Sequence, residues 1–250
     1  METLVHRAIA EIREHYDEPL SLDDLARTAT MSKFHFLRTF REFTGVTPIR
    51  FLSAVRIDEA KRLLFATSLT VADISTHVGY LSLGTFTRRF TECVGLTPTA
   101  YRRLARGTAT PVPEPQASPG PGTRQITGVG AGTLGGTVTA SSDTSSPIFV
   151  GLFGSRIPQG RPVVSTALAG PGPWLLPEVP AGSWHLLVAA TAAGCGDAAT
   201  RRTLLVGTAD EIRVRPGARI CLDVTLRPLD WTRPPLMVAL PGVEALRAAA

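Results

Sequence analysis

The chain has 250 residues, 44% of them hydrophobic, which is enough for one large or two small cores and excludes a disordered composition. Its formal charge is +5 and its pI about 9.6, a balance that points to an acidic partner such as nucleic acid. The basic residues are 24 Arg and 2 Lys, so the position of each Arg carries the argument, not the number.

The first segment, METLVHRAIAEIREHYDE, is charged throughout and reads as neither a signal peptide nor a membrane span. Leu4, Val5, Ala8, Ile9, Ile12 and Tyr16 form a helical stripe in it. Ser21 with Asp24 three residues on predicts a capping box, opening a second helix whose apolar face is Leu22, Leu25, Ala26 and Ala29. After a tight turn at Ala29–Met31, Ser32 is placed to cap a third helix that runs to about Phe43 and closes at Gly45. Thr47 then caps a long helix with Pro48 at its first position, where the missing N–H costs nothing.

From Thr70 the cycle restarts. Thr70 and Asp73 repeat the capping box, Val71, Ile74 and Val78 repeat the apolar face, and Gly79 marks the turn. Ser82 caps the copy of the third helix, and Thr97–Pro98 opens a closing helix through Tyr101. The two stretches FLRTFREFTGVTPIRF (36–51) and FTRRFTECVGLTPTAY (86–101) share Phe, Arg, Phe, Glu, Gly, Thr and Pro at the same spacing. Because Ser21 maps to Thr70 but Ser32 maps to Ser82, the second copy carries one extra residue in its inner turn.

A short helix, a tight turn and a second short helix form the helix-turn-helix unit, whose second helix enters the DNA major groove. Projected at 100° per residue, Phe36, Thr39, Phe40 and Phe43 share the core face of the third helix, and Phe34, Leu37, Arg38 and Arg41 the opposite one. In the copy, Phe86, Phe90 and Cys93 face the core and Gly84, Thr87, Arg88 and Thr91 face away. An outward Arg at the same place in both copies suits bidentate contact with guanine O6/N7, its neighbours holding phosphates.

On SLDDLARTATMSKFHFLRTFREFTGVTP, FLSAVRIDEAKRLL and VADISTHVGYLSLGTFTRRFTECVGLTPTAYRR, residues 1–107 resemble the DNA-binding domain of the AraC-type transcriptional regulators. The resemblance implies two helix-turn-helix units joined by a long helix, reading adjacent major grooves of double-stranded DNA. Carried over by position, it implies Phe34, Leu37 and Arg38 as base readers of the first unit and Leu83, Gly84 and Arg88 as those of the second. Ser32, Lys33, His35, Arg41, Ser82, Thr85, Thr87, Arg89, Arg102 and Arg103 take the places of backbone contacts. Two departures stand out. Leu83 and Gly84 occupy places the family commonly fills with polar residues, and this domain comes first in the chain where the family usually places it last.

Residues 108–123, TATPVPEPQASPGPGT, read as a semi-extended linker that keeps the two halves separable. Beyond it, short runs of β-formers between Gly and Pro predict six or seven strands over 124–230, an all-β sandwich. The hairpin WLLPEVPAGSWHLLVAA resembles that of transthyretin-like (prealbumin-like) and carboxypeptidase-regulatory-like sandwiches, with Trp174 and Trp184 expected in the core. The tail 231–250 is left open between covering an edge strand and fraying.

GVGAGTLGG places Gly130, Gly132 and Gly135 at a dinucleotide-fingerprint spacing, but it leads into a strand-like run instead of a helix, so it reads as no nucleotide site. His6, His15, His35, His77 and His185 lack metal-ligand spacing, and Cys93, Cys195 and Cys221 read as reduced thiols of a cytoplasmic protein. With no nucleophile elbow, P-loop or paired carboxylates, the sequence implies neither an enzyme nor a cofactor. The resulting expectation is a transcriptional regulator whose β half senses a small-molecule effector, self-associates or contacts RNA polymerase. The rival is an interaction protein whose β half is the main module and whose helical half localises it to DNA.

Overall fold

The structure, a computed structural model, describes residues 2–105, 131–144, 146–192 and 203–240; the Pro-rich linker and Cys195 lie outside them. Seven helices come first: α1 (Glu2–Glu14), α2 (Leu22–Thr28), α3 (Lys33–Thr44), α4 (Pro48–Ala66), α5 (Val71–His77), α6 (Leu83–Val94) and α7 (Pro98–Ala105). Among the described residues eight strands follow: β1 (Gly132–Ala140), β2 (Ile148–Phe153), β3 (Val164–Leu168), β4 (Gly172–Val179), β5 (Gly182–Thr191), β6 (Leu204–Val214), β7 (Arg219–Cys221) and β8 (Val224–Pro228). No helix among the described residues is long and apolar enough to cross a membrane.

The helical domain is organised on α4. Phe51, Leu52, Ala54, Val55, Ile57, Ala60, Leu63 and Leu64 are buried, so this helix packs on several sides at once. The sequence repeat becomes a structural one here. Phe36, Phe40 and Phe51 form an edge-to-face chain with centroids 5.4 and 5.7 Å apart, and Phe86, Phe90 and Tyr101 form the equivalent chain at 5.6 and 5.7 Å, its first pair tilted and its second edge-to-face. Each such buried ring contributes about 1.5–3 kcal/mol by area, with about 0.5–1.5 kcal/mol more for the aromatic geometry.

The β domain departs from the expected sandwich. Its strands follow one hydrogen-bonded path, β3-β2-β5-β6-β8-β1-β4, with β7 added beside β1, and the end strands β3 and β4 pack together. The sheet is therefore a nearly closed barrel instead of two stacked sheets. The cause is β8, which pairs antiparallel with β6 through Leu205 and Val206 and parallel with β1 through Val138–Ala140, joining what would have been two separate sheets. The core is Leu134, Val138, Ile148, Val150, Leu152, Leu176, Val188, Leu205, Leu226 and their neighbours. Trp174 is buried in it, and Trp184 packs against it while donating its indole N–H to the Pro180 carbonyl at 2.7 Å across the VPAG turn.

The glycine run now has a physical account. Gly132 and Gly135 lie in β1, and a Cβ at Gly136 would sit 2.0 Å from the Leu222 carbonyl oxygen. Leu222 N–H donates to the Gly135 carbonyl at 2.8 Å. The glycines let the β7–β8 connection run against β1, a use of missing side chains that has nothing to do with phosphate.

Of the C-terminal tail, residues 231–238 group with the helices together with Asp230, so the helical unit takes in chain from beyond β8; residues 241–250 lie outside the described residues.

Candidate nucleic-acid interface

Local chemistry sets the two helix-turn-helix motifs. In the first, Asp24 N–H donates to Ser21 Oγ at 3.2 Å and Ser21 N–H to Asp24 Oδ2 at 3.0 Å. In the second, Thr70 and Asp73 make the same pair of bonds at 3.1 Å each. The Ser21 and Thr70 hydroxyls also donate to these carboxylates, at 2.5 and 2.7 Å, and this bond is the largest cause, ahead of the backbone N–H, that holds both carboxyls below the usual aspartate range.

The turns differ in a way the sequence count foretold and the structure locates. Met31 N–H donates to the Ala26 carbonyl and Tyr80 N–H to the Ser75 carbonyl, each at 2.9 Å, closing equivalent six-residue helix-end turns. The left-handed position is Thr30 (φ 51) in one and Gly79 (φ 79) in the other. The extra residue is therefore Leu81, which projects fully into solvent just before α6.

The second helix of each motif, α3 and α6, ends on a left-handed glycine, Gly45 (φ 81) and Gly95 (φ 82). Ser82 caps α6 by accepting from Thr85 N–H at 3.2 Å, and its Oγ also donates to Thr85 Oγ1 at 2.9 Å. Ser32 stands at the equivalent place but its side chain makes no capping bond, a correction to the expected cap that leaves the hydroxyl exposed.

Phe36, Phe40, Phe86, Phe90 and Cys93 are buried, and burial raises the Cys93 thiol pKa. Phe43 is half-exposed, its ring edge-on to His6 at 5.2 Å, so it rims the core instead of filling it. The outward face carries Phe34 (86% exposed), Arg38 and Arg41 on α3, with Leu37 half-buried beside them, and Leu83, Gly84 and Arg88 on α6. Space around Gly84 is open. Arg38 lies 3.6 Å from Glu42 and Arg88 3.9 Å from Glu92, so each motif sets its outward guanidinium over a carboxylate one turn later. Exposed pairs of this kind are weak, about 0.3–0.5 kcal/mol, and readily exchanged for an anionic partner.

The expected backbone contacts divide into two groups. Lys33, His35, Arg41, Thr85 and Arg103 are exposed and Thr87 is half-buried, with Lys33 Nζ 2.7 Å from Asp23. Arg89 and Arg102 instead turn inward. Arg89 Nε donates to Ser53 Oγ at 3.1 Å, and Arg102 donates to the carbonyls of Leu64 (3.3 Å) and Leu69 (2.5 Å), closing the end of α4.

Sequence reasoning missed Arg56. From α4 it donates to the carbonyls of Tyr16 (2.6 Å) and Glu18 (2.7 Å) and lies over the Tyr80 ring. Tyr80 is largely buried, which raises its phenol pKa against the opposing effects of Ser53 and Arg56. One side chain thus ties the α1–α2 connection to the turn of the second motif. The one available signal was an Arg in the middle of a helix otherwise destined for burial.

Two helix-turn-helix motifs, each presenting an arginine-bearing helix and braced through one central helix, define a DNA-binding protein of the double helix-turn-helix class. Residues 25–104 match the family model described as a helix-turn-helix domain. The chain is 38% identical over 97 residues to the MmsAB operon regulatory protein of Pseudomonas aeruginosa, covering 39% of this chain and 32% of that protein. It is 35% identical over 101 residues to the transposon Tn10 TetD protein of Escherichia coli, covering 40% of this chain and 73% of that one. Among solved structures, it is similar to the DNA-binding domain of AdpA in complex with a target DNA, with 31% identity, a TM-score of 0.41, and coverage of 42% of this chain and 94% of that chain. The chain belongs to the AraC family of transcriptional regulators, through its N-terminal DNA-binding domain. It spans about a third of the length of the MmsAB regulator, so that likeness concerns one domain of each protein.

Proposed function

We propose that the protein regulates transcription by setting α3 and α6 into two neighbouring major grooves of double-stranded DNA. The observation that carries this reading is the duplication of chemistry between the motifs: matching capping boxes, matching aromatic triplets, and Arg38–Glu42 matched by Arg88–Glu92. Arg38 and Arg88 read guanine, while Phe34, Leu37 and Leu83 offer apolar contact to thymine methyls. Gly84 reads nothing with a side chain and lets the groove edge approach α6. Lys33, His35, Arg41, Thr85, Thr87, Arg103 and the Ser32 and Ser82 hydroxyls hold phosphates.

In this reading the β domain senses a small molecule, joins two copies of the chain or contacts RNA polymerase, and the protein acts in the cytoplasm without catalysing a reaction. Selection of bound sequences from random DNA tests the proposal. The expected product is a site with two conserved blocks about one helical turn apart. Replacing individual thymines in it by deoxyuridine, which deletes only the methyl group, identifies the apolar contacts. Equal binding to the selected and a scrambled duplex would overturn the reading.

A further inference from the structure

One face of α1 and α4 packs against residues 230–238, away from the outward faces of α3 and α6. Lys61, in the last third of α4, is 3% exposed, and its ammonium donates to the carbonyls of Leu236 and Val238 at 3.0 Å each. Arg13, at the end of α1, donates through Nε and Nη2 to the Trp231 carbonyl at 3.1 and 2.8 Å, and through Nη2 to the Arg233 carbonyl at 3.2 Å. The Trp231 ring lies 5.2 Å from His6, two turns earlier on α1. Pro235, Leu236, Met237 and Val238 are buried.

The chemistry is that of recognition of an extended segment. A buried ammonium is costly unless its donors are satisfied, and backbone carbonyls satisfy them without regard to side-chain identity. The apolar side chains between those carbonyls supply the burial energy. Arg13 itself is pinned over the Phe51 ring at 5.6 Å, which fixes its fork toward the incoming backbone. The Asp230 carboxylate accepts from Thr232 N–H at 3.0 Å and turns the segment onto the helices.

We propose that the α1–α4 face, with Arg13 and Lys61 as its two carbonyl-binding points, is a docking site for an extended apolar peptide, and that its occupant is this chain's own segment Asp230–Val238. The DNA-binding domain is then completed by a strap that directly continues β8. The site does not depend on which bases α3 and α6 read.

Methionine oxidation of the full chain tests this. Met237 is 2% exposed and Met31, in the first turn, is partly exposed, so each chain carries its own probe and its own reference. With dilute hydrogen peroxide and mass-spectrometric readout, Met237 is expected to oxidise at least about tenfold more slowly than Met31, since a docked strap shields the thioether. In Lys61→Leu, and independently in the half-buried Arg13→Gln, the Met237 rate is expected to rise toward that of Met31. Equal rates in the parent chain, or Met237 protection unchanged in both variants, would overturn the proposal. The parent measurement stands even if Lys61→Leu does not fold.

Discussion

The guanidinium of Arg56 lies 5.7 Å from the centre of the Tyr80 ring while its nitrogens hold the carbonyls of Tyr16 and Glu18. One side chain thus fixes the second motif's turn against the α1–α2 connection, and with it the spacing of the two recognition helices. Arg56→Leu removes two charge-assisted bonds to carbonyls and is expected to lower stability by about 2–3 kcal/mol, measured by urea unfolding. The same variant should shorten the footprint on a selected operator from two groove segments to one. A two-groove footprint in Arg56→Leu would show that α4 packing alone sets the spacing.

Arg38→Ala and Arg88→Ala should each weaken specific binding by about 1–3 kcal/mol and relax preference at different base pairs. Binding to non-operator DNA should change far less. Both Arg residues pair only with exposed glutamates on their own helices among the contacts described above, so the fold should be little affected. Mobility-shift titrations against single-base operator variants measure this, and unchanged operator affinity in both variants would displace the reading faces.

The equivalent positions 30 and 79 should respond in opposite directions. Thr30 holds φ 51, a region that disfavours a β-branched residue, whereas Gly79 holds φ 79 with its missing Cβ 2.6 Å from the Asp17 carbonyl oxygen. Thr30→Gly should raise stability by up to about 1 kcal/mol, and Gly79→Ala should lower it by about 2 kcal/mol or more. Gly84→Ala meets nothing within 4 Å and should be tolerated by the fold. Thermal melts of the three variants decide the matter.

The capping boxes predict an acid limit. Asp24 and Asp73 have folded pKa values below the ordinary one, so the stability they supply is fully present above the unfolded value of about 3.9 and is lost as pH falls through the folded value. The melting temperature should fall as pH drops from about 5 toward 2. Asp24→Asn with Asp73→Asn should flatten that part of the curve. An unchanged slope in the double variant would assign the acid sensitivity elsewhere.

What the sequence determined by itself is whatever local spacing encodes. Capping boxes, the left-handed glycines 45 and 95, the aromatic periodicity and the change of grammar near residue 108 each depend on residues within a few positions of one another. Repetition made them firmer, because an accident seldom recurs with seven residues in register. The extra residue of the second turn could be counted in advance, but only the hydrogen bonds of Met31 and Tyr80 assign it to Leu81.

The tertiary structure decided the rest. A lysine on a helix ordinarily reads as a solvated face, and only a segment 175 residues away, supplying the Leu236 carbonyl, makes Lys61 a buried donor. The inward turn of Arg89 and Arg102 follows likewise from the positions of Ser53, Leu64 and Leu69. Alternation marks a strand but not its neighbours, so the bridging of β6 and β1 by β8, and with it the closing of the sheet, had no sequence signal. Long-range contacts carry no period: their partners become neighbours only once the chain has folded.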